Sequence, residues 1–189
     1  DVAKDRLYTL APADPARRSA QTALAYTAVM TTIALGPVLA YTADEAWQVL
    51  MKDEDESVLL HEMTALPQPA DAAALAERWN LVRAWRARVA KQIEEARAAG
   101  SIDCPDVELR LEIAAPAAEL EQLRALGAAE LAEAFIASEI ELAEGEAAVA
   151  VRQADAPKCP RCWRRAPLAA GKDTCERCAA SLAATGRTA

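Results

Sequence analysis

Four cysteines near one end of the chain constrain its fold more than any other feature. They form two pairs, Cys159-x-x-Cys162 and Cys175-x-x-Cys178, with twelve residues between the pairs. Each pair brings two thiolates together across one tight turn, and the spacer is long enough for a hairpin that returns the second pair to the first. Such spacing is expected to bind one zinc ion in a closed, tetrahedral, structural site. Four thiolates leave no coordination position for water, so hydrolysis at this site is not expected. The segment holds little apolar material and is expected to be unfolded without metal. The remaining cysteine, Cys104, has no base near it in sequence and reads as a bystander thiol. No apolar leader opens the chain, so the pairs read as metal ligands rather than disulfides, in a reducing, cytoplasmic compartment. Residue 1 is not methionine, and the sequence reads as a piece of a longer protein.

Charge is unevenly placed. The whole chain carries −8, yet residues 157–189 hold seven basic side chains (Lys158, Arg161, Arg164, Arg165, Lys172, Arg177, Arg187) against two acidic ones. Four thiolates on a divalent ion would return about two negative charges to that segment. A basic module on an acidic body points to a local anionic partner, although solvated surface charge alone gives the same count. Trp163 follows the second ligand directly and lies among Arg161, Arg164 and Arg165. An exposed Trp beside arginines offers a platform for an unpaired base, with the arginines reaching phosphates. The other reading is that Trp163 packs over the metal knuckle or on the main body.

The rest of the chain is rich in Ala and Leu, with only 4% aromatics, which favours helices. Asp14-Pro15 is a helix start and Gly36-Pro37 a stop, with Leu24, Ala28 and Leu35 expected on a buried face beside Val29 and Ile33. Thr42 and Glu45 have the spacing of a capping box for a helix to about Met51, followed by an acidic loop at 52–56. Ser57–Met63 reads as extended, and its single histidine, His61, receives no role. From Asp71 to about Ala99 a long helix is expected, its stripe running through Leu75, Trp79, Val82, Arg86, Val89, Ile93 and Ala96. Period-two alternation predicts strands at Val107–Ile113, Phe135–Leu142 and Ala147–Arg152, the last two joined as a hairpin through Glu144-Gly145-Glu146. A short helix is expected from Pro116 to about Leu126. The fold class is therefore mainly α, a helical bundle over 1–100, with a small α+β unit over 101–155 and a zinc knuckle module over 156–189.

No apolar run is long enough for a membrane span. No glycine-rich phosphate loop, G-x-S-x-G, H-E-x-x-H or Cys/His catalytic arrangement occurs in the sequence, and general acid–base options are poor with one histidine. No catalytic residue is expected.

The order of segments resembles the C-terminal part of bacterial isoleucyl-tRNA synthetases. The resemblance rests on KDRLY at 4–8 with Arg17-Arg18, on GPVLAYTADEAW at 36–47, and on SVLLHEM at 57–63. It continues through Trp79, Arg86, Val89, Lys91, Ile93, Glu94, Ala96 and Arg97 of the long helix, SEIELAEG at 138–145, and the pair KCPRCW and CERC. One departure is Gly100-Ser101-Ile102-Asp103, where the family usually carries a lysine and an I-G-S-S-L-like stretch. The resemblance implies an anticodon-binding helical domain and a terminal zinc domain. It implies that Arg83, Arg86 and Arg88 meet a tRNA backbone and that Trp163 with its neighbouring arginines meets the anticodon. It further implies that the full enzyme activates isoleucine with ATP, which is not bound here, and loads it onto tRNA. The expected partners are tRNA and the catalytic remainder of the same polypeptide, in a monomer, with neither membrane nor DNA. A free-standing zinc-ribbon interaction protein is the alternative.

Overall fold

The computed structural model describes residues 2–52 and 56–186. Arg187 and most of the acidic stretch 52–56 lie outside the described residues. The chain runs α1 (Val2–Thr9), α2 (Pro15–Leu35), α3 (Ala40–Met51), α4 (Ala72–Ala98), β1 (Leu109–Ala115), α5 (Ala117–Leu126), α6 (Ala128–Phe135), β2 (Glu139–Glu144), β3 (Ala148–Gln153) and α7 (Glu176–Ala183). Single 3-10 turns occur at Val58–Leu60 and Asp106–Glu108. The architecture is mainly helical with one small sheet and a cysteine-centred module. It divides into two compact units, residues 12–70, and residues 1–11 together with 71–189.

The unit over 12–70 is a pair of helices crossed by a strap. Asp14 caps α2, its Oδ1 accepting from the Ala16 N–H at 2.8 Å, and Pro15 takes the first helical position. A Cβ on Gly36 would stand 3.2 Å from Leu59 Cδ2, so the strap passes close over the end of α2 because this residue has no side chain. The capping box expected at Thr42 does not form. α3 begins three residues earlier, with Leu39 in the N-cap position and no side-chain cap. The strap is not extended as expected but makes a 3-10 turn at Val58–Leu60, because Asp44 Oδ1 accepts from Ser57 Oγ at 2.8 Å and from the Val58 N–H at 3.0 Å. His61 stacks on Trp47, ring centroids 4.2 Å apart. The unit's core is small: Ala43, Trp47 and Val58 are buried, with Val29 and Ile33 packed beside them. Leu24 and Leu35 were expected on the buried face of α2, but both are exposed.

The other unit is built on a three-stranded sheet ordered β2-β1-β3. β1 pairs parallel with β2 and antiparallel with β3. The hairpin expected between β2 and β3 is therefore absent. The two strands flank β1 on opposite sides, and the loop through Gly145 crosses the end of β1, where the Gly145 N–H donates to the Ala115 carbonyl at 3.0 Å. Alternation along β1 places Leu109, Leu111, Ile113 and Ala115 in one core with the stripe of α4 and with α5 and α6. In that stripe Trp85, not Arg86, is the inward residue. Trp85 is fully buried and its Nε1 donates to Glu119 at 2.8 Å, while Arg86 faces solvent. Because α4 packs on the sheet, it falls in the same compact unit as β1. α6 lies between the short helix and the strand that were expected, meeting the expected strand only at Phe135. Gly127 separates it from α5 with φ +85° and ψ 148°, a conformation that favours glycine.

Candidate metal centre

The cysteine module is two stacked turns and a short helix. The first turn closes when the Trp163 N–H donates to the Cys159 carbonyl at 2.9 Å and the Cys159 N–H to Arg164 at 2.9 Å. The second closes between Ala169 and Thr174, also at 2.9 Å, around Gly171. Cys175 then caps α7, which carries Cys178. Two isolated bridges, Lys158 with Arg165 and Leu168 with Cys175, hold the turns in register.

All four cysteines expected as ligands converge. Their Sγ atoms lie within 4.8 Å of one another, and all are buried. Cys162 Sγ and Cys175 Sγ are 3.8 Å apart. A tetrahedral ion with metal–sulfur bonds of ~2.3 Å sets neighbouring sulfurs about 3.8 Å apart, so this geometry fits a metal tetrathiolate. Without an ion the four thiols do not titrate alike. Hydrogen bonding from Cys178 draws the Cys162 thiol down to about 4, whereas the same pairing holds Cys178 far up and burial raises Cys175. Sulfurs in contact do not all ionise side by side unless a cation sits among them. The Cys175 N–H also points at Cys159 Sγ, 3.4 Å away.

The arginines around the centre have partners on the body of their unit. Arg177 on α7 reaches Asp5 of α1 through two hydrogen bonds, 2.7 and 2.8 Å. Arg164 donates to the Ala137 carbonyl at 2.9 Å and approaches Asp5 at 3.4 Å. Arg161 donates to the Thr9 carbonyl. Arg165 and Lys158 both hold Glu108, which is only 4% exposed. Ser138 adds a neutral tie, accepting from the Arg165 N–H at 2.7 Å and donating to the Val107 carbonyl. Burial pushes the Asp5 carboxyl up, but Arg177, Arg164 and Thr9 outweigh it and hold it below the ordinary range. Lys158, followed by Arg165, holds Glu108 low against the cost of its burial. Neither carboxylate carries a local signal in the sequence: Asp5 lies in the charged segment KDR, and Glu108 falls in the polar phase of the expected strand with Arg110 and Glu112.

Trp163 stands apart from these inward side chains. It is 63% exposed and its φ is +64°, a left-handed conformation that a bulky residue seldom takes. On α4, Arg83, Arg86 and Arg88 are all exposed. They do not share one face: Arg83 and Arg86 are three residues apart, and Arg88 stands about 140° round the helix from Arg83. Arg88 lies over the Trp85 ring, 4.7 Å from its centroid.

Residues 1–112 match the family model described as the anticodon-binding domain of tRNA ligase. The chain belongs to that family. The cysteine module lies beyond the matched residues, but longer relatives extend across it. An isoleucine–tRNA ligase 2 of Burkholderia mallei is 41% identical over 99% of this chain and 20% of its own length. The isoleucine–tRNA ligase of Laribacter hongkongensis is 39% identical over 94% of this chain and 19% of its own. That of Neisseria gonorrhoeae is 38% identical over 100% and 21% respectively. This member of the anticodon-binding family thus spans about a fifth of the length of the curated relatives it matches.

Proposed function

We propose that this chain is the tRNA-recognising portion of an isoleucine–tRNA ligase, reading the anticodon stem and loop. Activation of isoleucine with ATP and its transfer to tRNA are carried by the remainder of such an enzyme, in the cytoplasm. The metal is a single structural zinc ion on Cys159, Cys162, Cys175 and Cys178. It supplies no chemistry beyond holding the two turns and α7 together, because its donor set is closed.

The observation that carries the reading is Trp163. A large aromatic side chain is held outward on a metal-clamped turn, at a backbone conformation that costs about 1–2 kcal/mol for a non-glycine residue. Strain of this kind is retained where the surroundings enforce it, and an exposed ring suits stacking on an unpaired base worth about 1–3 kcal/mol. Arg161, Arg164 and Arg165 orient the turn through their bonds to the body, and the exposed Arg83, Arg86 and Arg88 of α4 meet phosphates. In functional terms, 1–100 supplies the helical anticodon-binding part, 101–155 the junction and 156–189 the reading module.

The test is tRNA affinity measured across salt concentrations for Trp163→Ala and for Leu168→Ala, an exposed change in the same module. The expected result is a steep fall of affinity with salt and a loss for Trp163→Ala of about 1–3 kcal/mol that Leu168→Ala does not share. Equal affinity of the two variants would falsify the stacking role. A free-standing zinc-ribbon protein predicts no affinity for tRNA at all.

A further inference from the structure

Exposed apolar side chains scattered singly over a surface need no explanation, but those of the unit formed by residues 1–11 and 71–189 are gathered. Among its described residues three large ones are exposed: Tyr8 at 76%, Trp163 at 63% and Leu168 at 37%. All three lie on the cysteine module or on α1, the helix to which that module is bonded. The same bonds draw Tyr8 toward Trp163. Arg161, two residues before Trp163, donates to the carbonyl of Thr9, the residue after Tyr8. Arg164, the residue after Trp163, approaches Asp5, which precedes Tyr8 by three positions and so stands beside it on the helix. Arg177 secures the same carboxylate with two hydrogen bonds. The chain on either side of one exposed ring is thus tied to the chain on either side of the other. Thr9 and Leu10 are buried, whereas Tyr8 is turned outward.

We infer that Tyr8 is a second stacking residue, its ring taking an unpaired base of the same tRNA loop that Trp163 meets. The inference rests on reading the chain as a tRNA-recognising portion, and it names a residue which that reading did not use. An unpaired loop splays its bases outward, and aromatic side chains take them face to face whatever their identity. Leu168 has no ring to offer. Charge favours RNA over an apolar protein face. Lys4, Arg6, Arg161, Arg164 and Arg177 gather around this seam, and the carboxylates bonded there, Asp5 and Glu133, are already held by arginines. Phosphate therefore meets positive charge in excess beside the two rings. The ties also limit the span. One arginine side chain and three residue steps of about 3.8 Å each lie between the two Cα atoms, so a few nucleotides of an unpaired loop reach from one ring to the other.

The test uses the full-length, zinc-loaded ligase and its tRNA. Affinity is measured across salt concentrations for the parent, Tyr8→Ala, Tyr8→Phe and Trp163→Ala. Tyr8→Ala is expected to weaken binding about tenfold and Tyr8→Phe to bind as the parent does. Neither should change the slope against salt, because no cation is removed. The same proteins are then titrated with tRNAs carrying one abasic nucleotide at each unpaired position of the anticodon loop. At one of these positions the loss caused by Tyr8→Ala is expected to disappear, since the base it stacked on is gone. A loss that persists at every abasic position assigns Tyr8 to the fold and overturns the inference. An equal loss in Tyr8→Phe assigns the effect to the hydroxyl and overturns it as well. So does a Tyr8→Ala protein that binds as tightly as the parent. The two readings fail separately. A parent whose affinity is indifferent to salt and to Trp163→Ala defeats the tRNA reading and this inference with it, whereas a loss in Trp163→Ala with none in Tyr8→Ala defeats this inference alone.

Discussion

Arg177 of α7 donates two hydrogen bonds to the carboxylate of Asp5 in α1, joining residues 172 positions apart in sequence. The cysteine module is thereby bolted to a helix at the other end of the chain. Asp5→Asn keeps the shape and removes the charge. It is expected to lower unfolding free energy by about 1–3 kcal/mol, the worth of hydrogen bonds to a charged group. Denaturant melts of the zinc-loaded protein measure this, and a double-mutant cycle with Arg177→Met should return a coupling of about that size.

Glu108 gives a pH signature. Its carboxyl is held below its ordinary value of 4.5 by Lys158 and Arg165. Its contribution is therefore complete above that value and lost as pH falls through the lower folded-state value. Glu108→Gln is expected to cost about 1–3 kcal/mol at neutral pH. The difference from the parent should stay flat down to about pH 5 and shrink below it. A difference that grew toward acid would contradict the assignment.

Removing metal should unfold the module selectively. With a strong chelator, amide protection in residues 158–183 is expected to collapse while that of β1 and α4 persists, since the latter share a core without cysteine ligands. Hydrogen exchange read by mass spectrometry distinguishes this from global unfolding. Re-addition of zinc should restore the pattern.

Trp85 tests which body owns α4. It is fully buried against the sheet core, so Trp85→Ala should cost about 3–5 kcal/mol and loosen β1 and β3. If α4 belonged instead with α2 and α3, the same change would loosen those helices and leave the sheet protected.

Trp163 separates stability from binding. Glycine adopts positive φ freely, so Trp163→Gly is expected to raise stability by about 1–2 kcal/mol over Trp163→Ala, which keeps the strained conformation. Both changes should weaken tRNA binding alike. Thermal melts and affinity measurements on the same pair of variants provide the check.

Much of this was legible as local pattern. The CxxC spacing brought four sulfurs together, Asp14-Pro15 and Gly36 bounded α2, and alternation marked β1, because each depends on residues a few positions apart. The errors share a cause. Thr42 and Glu45 had capping-box spacing, but the chain had already turned into helix at Ala40. β2 and β3 alternated like hairpin partners, but β1 inserted between them. Arg86 fitted the stripe of α4 by counting, yet the neighbouring Trp85 buries more apolar area and took the inward position.

The sequence by itself determined the clustering of the four cysteines, the helical character and the uneven charge, since these follow from residue identity and short spacing. Only the tertiary structure decided where the charge is used. Most of the basic residues around the cysteines are held by Asp5, Glu108 and backbone carbonyls, and Trp163 is left facing outward. A carboxylate far away in sequence can claim an arginine only once folding has brought the two within hydrogen-bonding distance, and no local pattern carries that distance.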